Sequence, residues 1–294
     1  MEKPTVEIPT RLLLYGMTRA DGSLRMEELL PVAAACGSGP EQIRSCLRRL
    51  VAEGAFEREG AGRNASFHLT SLGLATLEIR RERLRRASAL DRGAAPWSGH
   101  WHLVAFAVPE SERAARDAFR ERLRLLGGAA IQGGLYVSPD PWEDRVADAA
   151  KEFRVEGFVM FATSDDLAVG GIGEPRELAR RLWRLDELSA RYAVFVAQFA
   201  SLVPALESMR ARRETLPDAA FLPGALAMAA AFLACFQSDP LLPASLLPQP
   251  WPGSRARELL LASRRLGLAL REVQEPLQLL HLFDESARLG ESTT

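Results

Sequence analysis

Residues 37–69, GSGPEQIRSCLRRLVAEGAFEREGAGRNASFHL, decide how this chain folds at its N-terminal end. Gly37-Ser38-Gly39-Pro40 is a turn with helix-start chemistry: a small or polar residue caps, and proline suits the first helical position because no N–H is needed there. From Pro40 to about Glu53 the apolar residues Ile43, Leu47, Leu50 and Val51 recur at helical spacing and define a stripe for burial. Gly54 ends that helix. Phe56 and then Ser66-Phe67-His68-Leu69 read as two short strands, with Glu59-Gly60-Ala61-Gly62-Arg63-Asn64 as the turn between them. Upstream, residues 10–17 (TRLLLYGM) and 25–36 (RMEELLPVAAAC) read as two further helices, the second carrying an awkward Pro31. Helix, helix, turn, helix, β-hairpin is the order of a winged helix-turn-helix.

The stripe also says what faces out. With Ile43, Leu47 and Leu50 inward, Glu41, Gln42, Arg44, Ser45, Arg48 and Arg49 face solvent. A recognition helix enters the major groove and needs such polar side chains in its N-terminal half. Gln42 suits adenine and Arg44 suits guanine, while Arg48 and Arg49, further along, suit phosphates. Alone, this is an ordinary solvated helix face. The hairpin and capping turn beside it favour DNA. Arg58, Arg63 and Asn64 lie in or next to the hairpin turn, where an arginine can clamp phosphate or enter the minor groove. The bland alternative is a polar hairpin tip. Residues 71–90 then read as a long helix with Arg80, Arg81, Arg83, Arg85 and Arg86. That run is expected to be a solvated face, with contacts to flanking phosphates or a second protomer as the alternative.

Residues 100–166 change period. HWHLVAFAV reads as a strand and ESERAARDAFRERLRLLG as an amphipathic helix with Ala115, Phe119, Leu123 and Leu126 inward. AAIQGGLYVSP is one strand, or two meeting at Gly133-Gly134. WEDRVADAAKEF is a helix and VEGFVMFAT a strand. A fourth strand comes from the split or from residues 166–172. This fits a small ferredoxin-like βαββαβ domain. From Pro175 onward the chain reads as helices: residues 178–201 as one or two, 221–236 as an Ala-rich one, and 255 to about 289 as the last. Arg210–Arg213 reads as a charged surface segment, and a proline-punctuated connector spans 239–253. The class is therefore α+β, divided into an N-terminal winged helix-turn-helix (1–90), a ferredoxin-like middle domain for dimerisation or signal transfer (97–174) and an all-α C-terminal domain (175–294).

Composition narrows the function. The 294 residues are 47% hydrophobic with a formal net charge of -1, enough apolar content for packed cores and no general polyanion binder. Charge is split along the chain. Residues 1–90 hold 14 Lys+Arg against 11 Asp+Glu, and the remainder 23 against 27, which puts the positive end at the N-terminus. Cys36, Cys46 and Cys235 form no CxxC pair and the four histidines show no ligand spacing, so neither a metal site nor a disulfide framework is expected. No cofactor motif appears. The N-terminus lacks signal-peptide character and the longest uncharged run, 219–237, is expected to be a buried helix, so the expectation is a cytoplasmic protein with no membrane partner.

Four segments in order resemble the PaaX family, the phenylacetic acid catabolon repressors. They are the winged-helix stretch ending in AGRNASFHLTSLG, then WSGHWHLVAFAVPESERAARDAFRERLRLLGGAAIQGGLYVSP, LARRLWRLDELSARYAVFV and DPLLPASLLPQPWPGSRAREL. The resemblance implies a DNA-binding homodimer controlling catabolic genes, a middle domain similar to the small CRISPR-associated ferredoxin-like nucleases, and release from double-stranded operator DNA by an aryl-acetyl-CoA thioester. Two segments depart from the family. AMAAAFLACFQS (227–238) stands where the family carries a Tyr- and Arg-bearing segment, and Trp183-Arg184-Leu185 replaces its WDL-like motif.

An acyl-CoA ligand needs arginines for phosphates and an apolar slot. Trp101, Arg116, Arg120, Tyr136, Trp183 and Tyr192 are the candidates, although aromatics at such spacings are more often core. The competing class is an enzyme: a metal-dependent nuclease or a CoA-thioester hydrolase on the middle domain. The similar nucleases place an Asp after the first strand, whereas this chain has Phe106-Ala107-Val108-Pro109 there. Glu110 and Glu112 suit a helix start, and no nucleophile motif is present, so an enzyme is not expected.

Overall fold

A computed structural model describes residues 8–19, 21–60, 66–94 and 96–272. It is a mixed α+β chain. By packing it divides into two compact units, one of Met1–Ser88, Arg191–Gln237 and Pro252–Thr294, the other of Ala89–Ala190 and Ser238–Trp251.

The first unit begins α1 (Thr10–Gly16), β1 (Ser23–Arg25), α2 (Met26–Ala35), α3 (Pro40–Ala52), β2 (Phe56–Glu59), β3 (Ser66–Leu69) and α4 (Ser71–Asp91), the last running into the second unit. The helices match the sequence reading to within a residue or two, and Pro31 is accommodated inside α2. Gly39 is the extended cap of α3 and Pro40 its first residue. Ile43, Cys46, Leu47 and Leu50 are buried, but Val51 is 36% exposed and does not belong to the stripe. The sheet has one strand more than expected. β1 pairs with β3 antiparallel, Ser23 opposite His68, giving the order β1-β3-β2. Its signal is local: the Asp21 carboxylate accepts from the Ser23 backbone N–H at 2.9 Å and the Ser23 hydroxyl at 2.6 Å, an Asx turn that launches the strand.

The rest of this unit is helical: the C-terminal part of α8 (Leu185–Phe199), α9 (Leu202–Ala211), α10 (Asp218–Phe236) and α11 (Pro252–Leu270). α9 includes Arg210, which the sequence assigns to a charged surface segment. Residues 185–211 have the length and apolar composition (mean hydropathy 1.3) to cross a membrane, although α8 and α9 break at Ala200-Ser201. α10 is apolar all round, a pattern that calls for burial on several sides. Phe221, Leu222, Leu226, Ala229 and Ala230 share one core with Leu13, Leu14, Leu29, Ile43 and Leu47. On another side Gly267 of α11 meets the Phe221 ring, where an added Cβ would stand 2.6 Å away.

The Arg80–Arg86 run is not the solvated face expected of it. Arg80, Arg81, Arg83, Arg85 and Arg86 are all half-buried. The Arg83 guanidinium lies 5.3 Å over the Phe236 ring and donates to the Phe236 carbonyl at 3.2 Å. Arg81 pairs with Glu78, and Arg85 with Glu78 and Glu82. The stems of these arginines cover apolar surface while their heads find carboxylates or rings.

The second unit carries β4 (Trp101–Phe106), α5 (Arg113–Leu125), β5 (Ala129–Gln132), β6 (Leu135–Ser138), α6 (Glu143–Glu152), β7 (Val159–Ser164) and α7 (Pro175–Leu182). The fourth strand comes from the split at Gly133-Gly134. Gly134 has φ +89°, and a Cβ there would meet the Phe106 carbonyl oxygen at 2.5 Å, so the turn needs glycine. Residues 166–172 contribute an isolated bridge, Val169 to Ile172. All pairings are antiparallel in the order β5-β6-β4-β7. Val104, Phe106, Phe119, Leu123, Tyr136, Trp142 and Val146 form its core. Ala115 and Leu126, expected inward, are partly buried at its margin.

The N-terminus of α6 is tied to β4 by a carboxylate. Glu143 Oε1 lies 2.6 Å from His102 Nδ1, and Oε2 accepts from the Trp142 N–H at 2.9 Å. Burial alone would raise the Glu143 carboxyl, but the hydrogen bonds from His102 and the backbone amides override it and hold it below its ordinary value. A carboxyl lowered in the folded state stabilises above its unfolded pKa, and that stability is lost as pH falls through the folded value. Glu143→Gln should therefore flatten the decline in stability below about pH 4.5. Denaturant midpoints at pH 7 and pH 4 check this: the wild type should lose more between the two than the variant.

Candidate nucleic-acid interface

α3 presents its polar face as the spacing predicts. Glu41, Gln42, Arg44, Arg48 and Arg49 are exposed, and Ser45 is half-buried. The side chains are not equally available. Gln42 donates through Nε2 to the Thr10 hydroxyl at 2.8 Å, which ties the start of α3 to α1 rather than offering the amide outward. Arg44 pairs with Glu41 one turn earlier. Arg49 lies beside the buried Cys46, whose thiol burial pushes up while the arginine pulls the other way. Among the described residues, Arg48 has no ion-pair partner. Among the described residues the face therefore offers Arg48 without an ion pair, Arg49 beside a thiol, and Arg44 held by one exposed carboxylate.

The hairpin flanks this helix. Thr70 links them: its N–H donates to the Ala55 carbonyl at 3.2 Å, its hydroxyl donates to the Gly54 carbonyl at 2.5 Å, and its oxygen accepts from the Gly73 N–H at 3.1 Å. Gly54, with φ +73°, ends α3, and the chain turns directly into β2. Arg58 is exposed on β2 opposite Phe67 of β3. Glu57 and Glu59 are exposed beside it, and Glu59 reaches His68 Nε2 at 3.4 Å. Arg63 and Asn64, the expected wing tip, lie outside the described residues.

Five of the ligand candidates lie in the second unit and one, Tyr192, in the first. Trp101 is buried, its ring 4.9 Å from Trp97 and stacked at 6.3 Å on Trp183. Trp183 is half-buried and its indole N–H donates to the Gly127 carbonyl at 2.9 Å. Tyr136 is buried and stacks on Phe106 at 5.9 Å, with the Arg120 guanidinium 6.0 Å over the Phe106 ring. Arg116 is engaged by Glu110 at 2.6 Å. Tyr192 belongs to the other unit, buried against Phe232 at 6.3 Å. The bond to Arg116 also accounts for Glu110 in the turn after β4, and among the described residues no three His, Cys, Asp or Glu side chains gather to hold a metal.

Two family models match in sequence order. Residues 94–179 match the PaaX protein central Cas2-like domain, and residues 183–269 the PaaX-like protein C-terminal domain, together more than half of the chain. The chain belongs to the PaaX family. This PaaX-family protein is 28% identical over 251 residues to the transcriptional repressor PaaX of Escherichia coli strain K12, covering 84% of this chain and 75% of that one. It shares a fold with a solved structure, the uncharacterized protein Rv0674 from Mycobacterium tuberculosis, at a TM-score of 0.54 and 24% identity over 94% of this chain and 96% of the other. Both family models match residues outside α1–α4.

Sequence reasoning did not single out Arg11 or Tyr15 on α1. Their spacing of four residues put them on one helix face, but the partner that gives them meaning, Arg80, is distant in sequence.

Proposed function

We propose that this PaaX-family chain is a transcriptional regulator, a repressor rather than an enzyme, that holds double-stranded operator DNA through a winged helix-turn-helix formed by α1–α3 and the β2–β3 hairpin. The observation that carries the reading is the exposed face of α3, with Arg48 uncommitted and Arg44 held by a single exposed carboxylate, next to a hairpin bearing Arg58. The repressor name of the E. coli relative supports it. Such a protein works in the cytoplasm, on the chromosome.

In this reading residues 1–90 contact DNA, 97–174 dimerise or transmit the signal on a ferredoxin-like βαββαβ domain, and 175–294 complete the sensor. The strand order β5-β6-β4-β7 supports the ferredoxin-like assignment. A homodimer matches the two-fold symmetry common in operators. An acyl-CoA thioester or similar small effector would oppose DNA, each weakening the other's binding by the same factor. Trp101 with Trp183, and Arg120 and Tyr136, which both pack on Phe106, are the groups in the middle unit to vary first in a search for it.

Fluorescence anisotropy with the protein's own upstream region tests the reading. Sequence-selective binding that weakens steeply as salt rises is expected. Equal affinity for the upstream fragment and a scrambled duplex at all salt concentrations would sink it.

A further inference from the structure

Tyr15 of α1 is buried, its ring edge-on to Phe56 at 5.5 Å, and among the described residues its hydroxyl has no hydrogen-bond partner. Two guanidinium groups lie over this one ring. Arg11, one helical turn earlier, stands 5.8 Å from the ring centroid, and Arg80 of α4 stands 5.3 Å from it. Arg11 also faces the phenol oxygen without reaching hydrogen-bond geometry, and is held at 2.9 Å by Glu53, the residue that closes α3. Arg80 is different. It is half-buried, and among the described residues no carboxylate stands beside it. Burial pushes its guanidinium down from the ordinary value; Tyr15 pulls it back up in part, and the charge of Arg11 pushes it down again.

A cation over an aromatic face recovers part of the cost of leaving water, not all of it. Two like charges share one ring here, and one carboxylate answers one of them. A buried phenol waits for an acceptor. Each of these deficits is removed by the same addition, an anion with several acceptor oxygens.

We propose that Arg11, Tyr15 and Arg80 form a binding site for a phosphate group. The guanidiniums offer planar N–H forks that match phosphate oxygens, and the Tyr15 O–H is the third donor. Through Glu53 the occupied site would also hold the end of α3. The same chemistry is found in a phosphodiester of duplex DNA and in the phosphate of a small molecule; the first source rests on the regulator reading above, the second does not.

The full chain is melted in sodium phosphate and in sodium chloride at matched ionic strength. The wild type should show a saturable rise in Tm with phosphate. R80Q should move the phosphate concentration of half-effect up by about tenfold or more, since a charge-assisted bond is lost. Y15F keeps the ring and its packing, and should weaken the response severalfold. Operator DNA then separates the sources. If a strand phosphate fills the site, R80Q lowers the slope of log affinity against log salt by about one. If a free anion fills it, that slope stays and the phosphate response alone is lost. Should R80Q fail to fold, Y15F and R80K, which keeps the charge without the fork, carry the phosphate measurement, and R80M, which removes the charge but keeps an apolar stem, carries the salt slope. One phosphate dependence and one salt slope shared by wild type, Y15F and the Arg80 variants would overturn the proposal. A wild type that binds no DNA would overturn the regulator reading and leave the phosphate measurement standing.

Discussion

Arg48→Glu should weaken operator binding about 100-fold without changing the thermal midpoint. Arg48 is exposed on α3 and has no ion-pair partner among the described residues, so the fold loses nothing when it goes. The buried side of the helix, Ile43, Leu47 and Leu50, is untouched. At the DNA surface the change is twofold: an attraction to phosphate disappears and a repulsion replaces it. A loss of about 3 kcal/mol, or ~100-fold in Kd, is the expected order. Arg44→Glu is a less clean probe, because it sets two glutamates one turn apart in place of the Glu41–Arg44 pair. Anisotropy titration beside a melting curve gives the answer. A reversed Arg48 that binds operator within twofold of wild type would remove α3 from the interface.

Gly73→Ala should cost the first unit about 3 kcal/mol or more and, with it, DNA binding. A Cβ at residue 73 would stand 2.1 Å from the Ala55 carbonyl oxygen and 2.8 Å from Leu69 Cδ2. The obstacle is backbone, which cannot swing aside as the end of a long side chain can. Relief requires the first turn of α4 to withdraw from the α3–β2 junction, and that breaks the three bonds through Thr70. The expected fall in Tm is roughly 6–12 °C for a unit of this size. The operator affinity should fall in parallel, because the hairpin is displaced relative to α3. A variant that melts with the wild type would show that the close approach at Gly73 is dispensable.

What was legible in the sequence follows the reach of each signal. α3 was readable to within a residue because its stripe, its proline and its terminal glycine all lie within fifteen positions of one another. The second unit was readable strand by strand because each period change is bounded by turn residues. β1 escaped because three residues are too few to show alternation, even though Asp21 and Gly22 announced a turn. The arginine run of α4 was misjudged for another reason. Charge density says that a face prefers water, but it does not say that Tyr15 and Phe236 will lie beneath it. Gln42 shows the same limit: spacing placed it outward correctly, and only the fold shows that Thr10 takes its amide. Among the ligand candidates, Trp101, Tyr136 and Tyr192 are buried, where apolar packing already explains them.

The core shared by α10 with α1, α2 and α3 makes the linear order of this chain misleading. A gene fragment ending near residue 90 would strip Phe221, Leu226 and Ala230 from Leu13, Leu14 and Ile43, and present that bared apolar surface to its neighbours. Such a fragment should be recovered as aggregate rather than as a small DNA-binding module. Heat cannot melt α1–α3 while sparing α10, so dyes placed on the two should report a single transition. The practical unit for engineering is thus discontinuous: a chimera that swaps DNA specificity must carry α10 along with the N-terminal helices, or redesign the surface on which they meet.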